Sequence, residues 1–344
     1  MKKQSRKRPG GSVGIRVVAI GGGTGLSTLL RGLKNYVARR RQEAGRHPIS
    51  DLAAIVTVTD DGGSSGRLRR EYRVLPPGDI RNCMVALSQD EALLGRLFQY
   101  RFHSGRGLRG HSFGNLFLTS LSHVTGDFIE AVRVSGKILA IRGRIFPATV
   151  ENVTLDAVME DGKIISGETQ IAKSRKKIRR LKLSPRRVKP LPEVLEAIRQ
   201  ADLILIGPGS LYTSILPNLL VSGVTEAIES SSAIRVYIAN LMTQPGETDG
   251  YTLSDHVSAI YQHTKCKVFD WVVASNQPVP PEVANRYSAR GAEPVRVDLS
   301  ALQRIGLRCL LDNLLDVDGV VRHNSTRLSE LLIEEFVERR PSRS

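Results

Sequence analysis

The sequence predicts an α/β protein with a doubly wound, mainly parallel Rossmann-like sheet, helices on both faces and a small β insertion. Three observations lead to this prediction. Short runs rich in β-branched residues alternate with helix-period segments along most of the 344 residues, as in parallel sheets. Polar or glycine-rich loops follow several of these runs, where open α/β sheets bind ligands. With 41% hydrophobic and 24% charged residues, the chain can form a large core.

The first half of the chain reads as a βαβ unit followed by helices. Residues 16–20 form a predicted buried strand, and apolar residues at helical spacing follow the glycine turn after it. A second parallel strand is predicted in the β-branched run of residues 51–60. Helical segments then alternate with glycine-rich loops between 80 and 123, and the first half is expected to close near Gly143.

The second half continues the alternation after a change of period. Apolar residues alternate between 152 and 183, which predicts the β insertion, with a hairpin turn at Asp161-Gly162. Further strands are predicted in ADLILIG (201–207), IRVYIANL (234–241), FDWVVAS (269–275) and PVRVD (294–298), with helices between them and a last helix from Thr326 to Arg339. We therefore predict a basic flexible arm at 1–14, a single domain at 15–335 with the β insertion at about 150–189, and a tail at 336–344.

The net charge of +16 is concentrated in two segments. The arm contains five Lys or Arg and residues 173–189 contain ten, with no acidic residue in either; the rest of the chain has 35 basic and 34 acidic residues. Contact with nucleic acid or an anionic membrane surface is one interpretation. A solvated tail and a basic surface ribbon are the preferred one, because neither segment contains aromatic residues that could stack on bases.

The composition of the chain also indicates in which cellular compartment the protein is located. No apolar run approaches the roughly 18 residues of a membrane-spanning helix, and the polar N-terminal segment lacks the apolar centre of a secretory signal. The cysteines at 83, 266 and 309 are far apart and indicate neither a disulfide framework nor a paired-cysteine metal site. We expect a cytoplasmic protein without a transmembrane segment.

A glycine turn between the first strand and the first helix is a candidate phosphate site. Glycine permits close backbone approach to a phosphate, and a helix N-terminus supplies amide donors. The G-x-G-x-G spacing differs from the dinucleotide fingerprint, and no lysine follows as in an ATPase P-loop, so neither hydride transfer nor ATP hydrolysis is supported. The hydroxyl of Thr24 could donate to a phosphate or cap the helix. The candidate contacts are Gly22, Gly23, Thr24 and Gly25.

The polar segment DDGGSSGR ends the second predicted strand and is the densest site signal. Its carboxylates could accept ribose hydroxyls or hold a divalent cation, for which Asp61 is the candidate ligand. Its glycines and serines offer donors to an anion, and Arg67 adds a two-pronged donor. A turn that only caps the next helix is the alternative. The candidate contacts are Asp60, Asp61, Gly62, Gly63, Ser64, Ser65 and Arg67.

Two further polar segments lie in the first half. In PPGDIRN, Asp79 is expected to cap the following helix, and both Asp79 and Asn82 are candidate ligand contacts. GHSFG has the letters of a hydrolase nucleophile motif, but no buried strand precedes it, so Ser112 is not expected to be a nucleophile. His111 and Asn115 are candidate ligand or helix-start contacts.

Two loops of the second half repeat this pattern. GPGSLYTS follows a buried strand and predicts a second phosphate-binding or base-binding loop, and NLMTQPGET supplies amides suited to a base or sugar. Several such loops at the strand ends favour a common site. The candidate contacts are Gly209, Ser210, Tyr212, Thr213, Asn240, Thr243 and Gln244.

These motifs together resemble those of a known family. Between about Arg16 and Leu332 the chain contains, in this order, GGGTGLSTLLRGLK, IVTVTDDGGSSGRLR, PPGDIRNCMVALS, GHSFGNL, IGPGSLYTSILPNLL, MTQPGETDGYTLSDH and VVRH. In them it resembles the YvcK-like gluconeogenesis factors, within the wider group that includes the CofD phospholactyl transferases. The resemblance implies UDP-sugar binding, UDP-N-acetylglucosamine in particular, and a link to gluconeogenic growth, cell-envelope synthesis and cell shape. It also implies diphosphate or uridine contacts at Thr24 and Arg322.

The leading hypothesis is a regulatory protein that binds a UDP-sugar or related nucleotide without turnover, because no convincing pair of nucleophile and base stands out. Such a protein requires no cofactor and acts through protein partners, and a homodimer is a reasonable expectation. The alternative is a CofD-like transferase in which Asp60 and Asp61 hold Mg²⁺ at a diphosphate. A nucleic-acid binder that acts through the basic segments is the second alternative.

Overall fold

The computed structural model describes residues 14–38, 47–89 and 91–339, and in the last range the side chains of residues 91 and 92 are not described. Residues 1–13 of the predicted arm and residues 340–344 of the predicted tail lie outside these ranges. The domain boundaries at the two ends of the chain therefore stay predictions.

Strands and helices alternate along the described chain. The strands are β1 (Ile15–Gly21), β2 (Ile49–Val56), β3 (Arg144–Pro147), β4 (Thr154–Met159), β5 (Ile164–Ser166), β6 (Ile178–Ser184), β7 (Leu203–Ile206), β8 (Ile234–Ile238), β9 (Trp271–Ser275), β10 (Arg308–Asp312), β11 (Leu315–Asp318) and β12 (Val320–His323). The helices are α1 (Gly23–Leu33), α2 (Gly63–Tyr72), α3 (Gly78–Leu87), α4 (Arg96–Gln99), α5 (Phe113–Thr125), α6 (Phe128–Ile138), α7 (Glu168–Ser174), α8 (Pro192–Gln200), α9 (Leu216–Leu219), α10 (Val224–Ser230), α11 (Leu253–Thr264), α12 (Pro281–Ser288), α13 (Leu299–Arg304) and α14 (Ser325–Ile333). Single helical turns lie at Lys34–Tyr36, Glu91–Gly95, Leu211–Ile215 and Glu334–Glu338.

Seven parallel strands form the central sheet in the order β10-β9-β8-β7-β1-β2-β3. From β1 the chain moves outward through β2 and β3, whereas from β7 it moves outward in the other direction through β8, β9 and β10. The central strands are nearly continuous in buried apolar residues, as expected for strands covered on both faces. The predicted fold class is confirmed. The order reverses between β1 and β7, and such a switch point opens a crevice at the carboxyl ends of the strands.

The β insertion is a three-stranded antiparallel sheet in the order β5-β4-β6. Its first hairpin turns at Asp161-Gly162, where Gly162 has a φ of +82°, a left-handed conformation that glycine adopts at little cost. One face of this sheet packs on the core through Leu155, Ala157 and Leu181. The hairpin predicted from the Asp-Gly pair is therefore present.

Five strands differ from the sequence prediction, one of them predicted but absent and four present but not predicted. The predicted strand 294–298 is wrong, because it forms only isolated bridges from Pro294 to Met242 and from Arg296 to Thr252; proline has no N–H to donate to a ladder. The edges of the sheet are instead the short strands β3 and β10, which sequence reasoning did not identify. The β11–β12 hairpin was also missed, and it has mostly exposed side chains.

Helix α1 is held between the central sheet and the last helix. An added Cβ at Gly32 of α1 would lie 2.0 Å from Ser329 Oγ and 2.1 Å from Ser325 O of α14, so the two helices pack at a distance that only glycine permits. Within the ranges that the structure describes, no helix is long and apolar enough to cross a membrane.

Candidate functional site

A cleft of about 620 Å³ opens at the carboxyl ends of β1, β7 and β8. This is the switch point of the sheet, where doubly wound proteins place their ligands. Its walls come from the glycine turn, the loops after β7 and β8, the end of α12 and strand β12. It brings together ten of the residues predicted from the sequence: Gly22, Gly23, Thr24, Gly25, Gly209, Ser210, Asn240, Thr243, Gln244 and Arg322.

The glycine turn forms one wall of the cleft and starts α1. Gly22 is the N-cap residue and no side chain caps this helix end, so the suggestion that Thr24 caps it is wrong. Thr24 is exposed and lines the cleft instead. Gly23 has a φ of +61°, and an added Cβ at Gly25 would lie only 2.3 Å from the carbonyl oxygen of Pro208. Glycine at this position therefore lets the first turn of α1, with its free amides, lie against the loop after β7.

The loops after β7 and β8 are tied to each other across the cleft. The backbone N–H of Gly209 donates to Asn240 Oδ1 at 3.1 Å, and Gln244 Nε2 donates to Ser210 Oγ at 2.5 Å. Gln244 Oε1 is buried and has no hydrogen-bond partner in the structure. A buried acceptor without a partner is unfavourable, so this oxygen is available to a donor on a ligand.

Sequence reasoning missed several cleft residues. Arg175 and Arg290 line the cleft together with Arg322; all three side chains are exposed, and none forms an ion pair with another described residue. Arg175 lies in the segment interpreted as a surface ribbon, and its Cα would be 2.5 Å from a Cβ added at Gly246. In the sequence, Arg175 is one of ten basic residues between 173 and 189, and no local pattern distinguishes it from the others.

His323 also lines the cleft and adds a neutral polar atom. Its side chain is buried and its Nε2 has no hydrogen-bond partner in the structure. Burial lowers its pKa to about 4, against which the backbone contact with Ala239 acts. The imidazole is therefore neutral at physiological pH and can accept or donate one hydrogen bond to a ligand.

Many of the other predicted contacts form a buried hydrogen-bond network outside the cleft. Ser64 Oγ lies 2.9 Å from His111 Nδ1 and accepts from Asn115 Nδ2 at 3.1 Å, and the same amide lies 3.5 Å from Ser65 Oγ. Arg81 donates to Asn115 Oδ1 at 3.1 Å and to Asn82 Oδ1 at 2.7 Å. These side chains bond one another, although Arg81 Nε is buried without a hydrogen-bond partner, and the network joins α2, α3 and α5.

The remaining predicted contacts have structural partners as well. Ser112 is fully buried and caps α5 by accepting from Asn115 N, which agrees with the expectation that it is no nucleophile. Arg67 donates to the carbonyl oxygen of Arg109 at 2.7 Å. Tyr212 is buried beneath the cleft and its hydroxyl lies 2.9 Å from that of Tyr251.

Thr213 is likewise buried. Gly62 and Gly63 form the start of α2, where Gly62 is the N-cap and Gly63 has a φ of +45°.

Acidic side chains gather beside the glycine turn. The predicted cap by Asp79 is wrong, because Pro77 is the N-cap of α3 and no side chain caps it. The Asp79 carboxylate instead accepts from Gly23 N, and burial, opposed by that bond, raises its pKa to about 6. Burial also raises the pKa of Glu168 to about 9, with repulsion from Asp60 and Asp79 adding to the effect. Glu168 is therefore protonated at neutral pH, and the other carboxylates of the cluster bring negative charge next to a proposed phosphate site.

These carboxylates fit a cation only in part. Asp61 Oδ1 accepts from Thr169 N at 2.9 Å and Thr169 Oγ1 at 2.6 Å, and Asp60 Oδ1 accepts from Gly62 N at 2.9 Å. In the part of the chain that the structure describes, no three His, Cys, Asp or Glu side chains are arranged to hold one metal ion. Mg²⁺ is usually held by one or two carboxylates together with water and phosphate oxygens. Asp60 fits that role better than the predicted Asp61, because its carboxylate accepts one of these hydrogen bonds whereas that of Asp61 accepts two.

The pKa of Glu168 predicts a pH-dependent stability. The folded state binds this proton more tightly than the unfolded state, so its stabilising effect is complete below about pH 4.5 and is lost as the pH rises toward 9. Glu168→Gln should therefore be more stable than the wild type at pH 9 by at least about 1.4 kcal/mol, the equivalent of one pKa unit. Urea unfolding at pH 5, 7 and 9 measures this. Glu160→Gln, an exposed glutamate of the same insertion, is the control, and an equal gain there would contradict the assignment.

The fold and the cleft define a doubly wound α/β protein with a polar cleft at the switch point of its sheet. A family model described as 2-phospho-L-lactate transferase CofD matches residues 17–315. A gluconeogenesis factor from Halalkalibacterium halodurans is 51% identical over 319 residues, covering 92% of this chain and 95% of the relative. The gluconeogenesis factor of Bacillus subtilis is 47% identical, covering 93% of this chain and 97% of the relative. A crystal structure of a UPF0052 family member from Bacillus halodurans has a TM-score of 0.87 and 49% identity, covering 93% of this chain and 99% of that one.

The chain therefore belongs to the gluconeogenesis factor family, which is CofD-like. The resemblance inferred from the motifs is confirmed by matches over nearly the whole chain.

Proposed function

We propose that this protein is a regulatory protein that binds a nucleotide sugar, of the UDP-N-acetylglucosamine type, in the cleft at the switch point. The observation that carries the proposal is the composition of this cleft. The cleft combines the N-terminus of α1, whose first amide, Gly23 N, is bonded to Asp79, with three arginines that form no ion pair with described residues and with a set of neutral hydrogen-bonding groups. A diphosphate joined to a base and a sugar has the matching chemistry.

The charged part of the ligand would be held by the first turn of α1 together with arginines. Helix N-termini bind phosphate through their amides and dipole. Arg175, Arg290 and Arg322 add side chains whose planar guanidinium groups can bind phosphate oxygens in pairs. Thr24 lies between these groups on the cleft wall and offers one hydroxyl.

The neutral part of the ligand would be recognised by the loops after β7 and β8. Asn240, Gln244 and His323 line the cleft with uncharged donors and acceptors, and Gln244 Oε1 and His323 Nε2 have no partner in the structure. A uracil or an acetamido group presents both donors and acceptors, so it would satisfy buried atoms that are otherwise unpaired. This is the physical basis for preferring a nucleotide sugar to a simple phosphate.

Binding without turnover is the form of the proposal that the cleft favours. Among the described cleft residues, no serine, threonine or lysine is hydrogen-bonded to a base in the manner of an activated nucleophile. We propose that the ligand acts as a signal in the cytoplasm, through protein partners, and links central carbon metabolism to cell-envelope synthesis and cell shape. The name gluconeogenesis factor, carried by relatives, supports the metabolic part of this proposal.

Thermal unfolding with UDP, UDP-N-acetylglucosamine, UDP-glucose, GDP and NAD tests the proposal. A ligand that binds only the folded state stabilises it by about 2.7 kcal/mol at one hundred times its Kd, so UDP-N-acetylglucosamine should raise the Tm and be recovered intact. Arg322→Ala should lower the shift, and Arg187→Ala, an exposed arginine outside the cleft, should not. Absence of any shift with the uridine nucleotides would overturn the proposal.

A second candidate function is a CofD-like transferase that acts on a nucleotide diphosphate conjugate. The acidic cluster beside the glycine turn favours it, because Mg²⁺ held there by Asp60 and ligand phosphates would stabilise charge that develops at phosphorus. The CofD family match is compatible with such metal dependence. Consumption of the nucleotide only when Mg²⁺ is present, abolished in Asp60→Asn, would establish this function in place of the first.

A further inference from the structure

A second cavity of about 920 Å³ lies between α2, the turn that joins α5 to α6, and residues 150–154. We call it the α2–α6 groove. No residue that lines it also lines the cleft. Its wall includes Asp61, whose neighbour Asp60 belongs to the acidic cluster beside the glycine turn. The groove is therefore separate from the proposed nucleotide site, and the proposed function does not use it.

A partly buried arginine whose hydrogen-bond acceptors are all neutral lines the groove. Arg69 donates from Nε to Asn152 Oδ1 at 2.9 Å, and its Nη2 donates to Asn152 Oδ1 at 2.5 Å and to the carbonyl oxygen of Val153. All of these acceptors are neutral, and within the described chain Arg69 has no ion pair. Burial lowers its pKa, and the charges of Asp61 and Asp60 oppose that effect. A partly desolvated cation whose hydrogen-bond acceptors are all neutral is stabilised only by the nearby charges of Asp61 and Asp60, and a bound anion would add a direct charged contact.

Two more arginines on α2 face the same groove. Arg70 and Arg73 are exposed and line it, and neither side chain makes a hydrogen bond or ion pair with another described residue. The N-terminus of α6 also opens onto it, since Phe128 and Ile129 are its first residues, although Asp127 already accepts from Glu130 N at 2.8 Å. Three arginines and the α6 N-terminus therefore face the groove, and Asp61 and Asp127 are its acidic lining residues.

One part of the groove is apolar. Val74, Leu75 and Ile129 form a wall that is 8–9% exposed. Val150, 51% exposed, and the half-buried Phe128 also line the groove. An inorganic ion would leave this apolar surface in water, whereas an apolar group attached to the anion would cover it.

We propose that the α2–α6 groove binds a small organic anion that has an apolar body. The anionic group, a carboxylate, phosphate or sulfonate, lies against Arg69, Arg70 and Arg73, and the apolar body lies on the wall around Ile129 and Val150. Solvated arginines alone would explain Arg70 and Arg73. They do not explain Arg69, which is held in place by neutral acceptors inside a cavity.

Anilinonaphthalene sulfonate has this chemistry and serves as the probe with the full chain. We expect saturable fluorescence with one molecule bound per chain. Arg70→Ala/Arg73→Ala should raise its Kd about tenfold, because two charge-assisted contacts are lost. Val150→Asp should raise the Kd of the probe by a similar factor, because it replaces part of the apolar wall with a charged side chain. Arg186→Ala/Arg187→Ala removes the same charge from exposed positions of the β insertion and should change Kd less than about twofold.

Three results would overturn the proposal. One is the lack of saturable binding to the wild type. Another is an equal loss of probe binding in Arg186→Ala/Arg187→Ala and in the groove variants, which would show that the effect is general charge attraction. The third is a loss of probe binding in Arg322→Ala with no loss of probe binding in the two groove variants, which would show that the probe binds in the cleft. The groove substitutions alter exposed side chains, and an unchanged Tm verifies that the variants remain folded.

Discussion

Replacing Gly25 with alanine is expected to weaken ligand binding in the cleft and to destabilise the fold. The new Cβ would lie 2.3 Å from Pro208 O, 2.7 Å from Pro208 C and 3.0 Å from Gly209 N. All of these are backbone atoms, so the loop after β7 must move away from α1. Both elements line the cleft, and their separation fixes where a diphosphate can lie. We expect at least a tenfold rise in Kd, about 1.4 kcal/mol, and a loss of about 1–3 kcal/mol in unfolding free energy.

The neighbouring Gly21 provides a matched control for this experiment. An added Cβ there would meet only the side chain of Leu26, at 3.5–3.9 Å, which is ordinary van der Waals contact. Gly21→Ala should therefore keep both the Tm and the nucleotide-induced Tm shift. Equal behaviour of the two variants in thermal unfolding with UDP-N-acetylglucosamine would show that the close approach of α1 to the loop after β7 does not shape the site.

The parts of the site that the sequence predicted are those that are local in the chain. A buried strand, a glycine turn and a helix with apolar spacing follow one another at β1 and α1, so local periodicity was enough to identify them. The loops after β7 and β8 were found in the same way, from polar residues that follow buried strands. The seven-stranded sheet then brings these loops together because parallel strands end at one edge.

What the sequence did not predict depends on contacts between distant segments. Arg175 and Arg290 reach the cleft from the β insertion and from the end of α12, and no local pattern distinguishes them from solvated arginines. Conversely, Ser64, His111 and Asn115 have the residue types of a ligand site but satisfy one another across α2 and α5. Residue type indicates which hydrogen bonds are available, whereas only the fold decides whether a ligand or another side chain accepts them.

Replacing Asp270 with alanine should produce one of the largest losses of stability in this protein. Asp270 and Arg235 join the start of β9 to β8 through a pair whose side chains are only 7% and 10% exposed. Nε of Arg235 donates to Oδ2 at 3.1 Å, Nη2 donates to Oδ1 at 2.6 Å, and the backbone N–H of Arg235 donates to Oδ2 at 2.9 Å. Without the carboxylate the guanidinium stays buried and uncompensated, which costs about 3–5 kcal/mol and about 4–7 °C in Tm.

Two further variants distinguish a buried charge from a general loss of packing. Lys176→Ala breaks the exposed pair with Asp161, whose side chains are 48% and 40% exposed, and should change stability by no more than about 1 kcal/mol. Arg235→Met/Asp270→Leu removes both buried charges and should recover most of the stability, since apolar side chains of similar volume often replace such pairs without loss. If urea unfolding gave the double variant the same stability as Asp270→Ala, the loss would lie in the packing of β8 on β9. Recovery of stability in the double variant would show that the loss in Asp270→Ala comes from the unpaired guanidinium of Arg235.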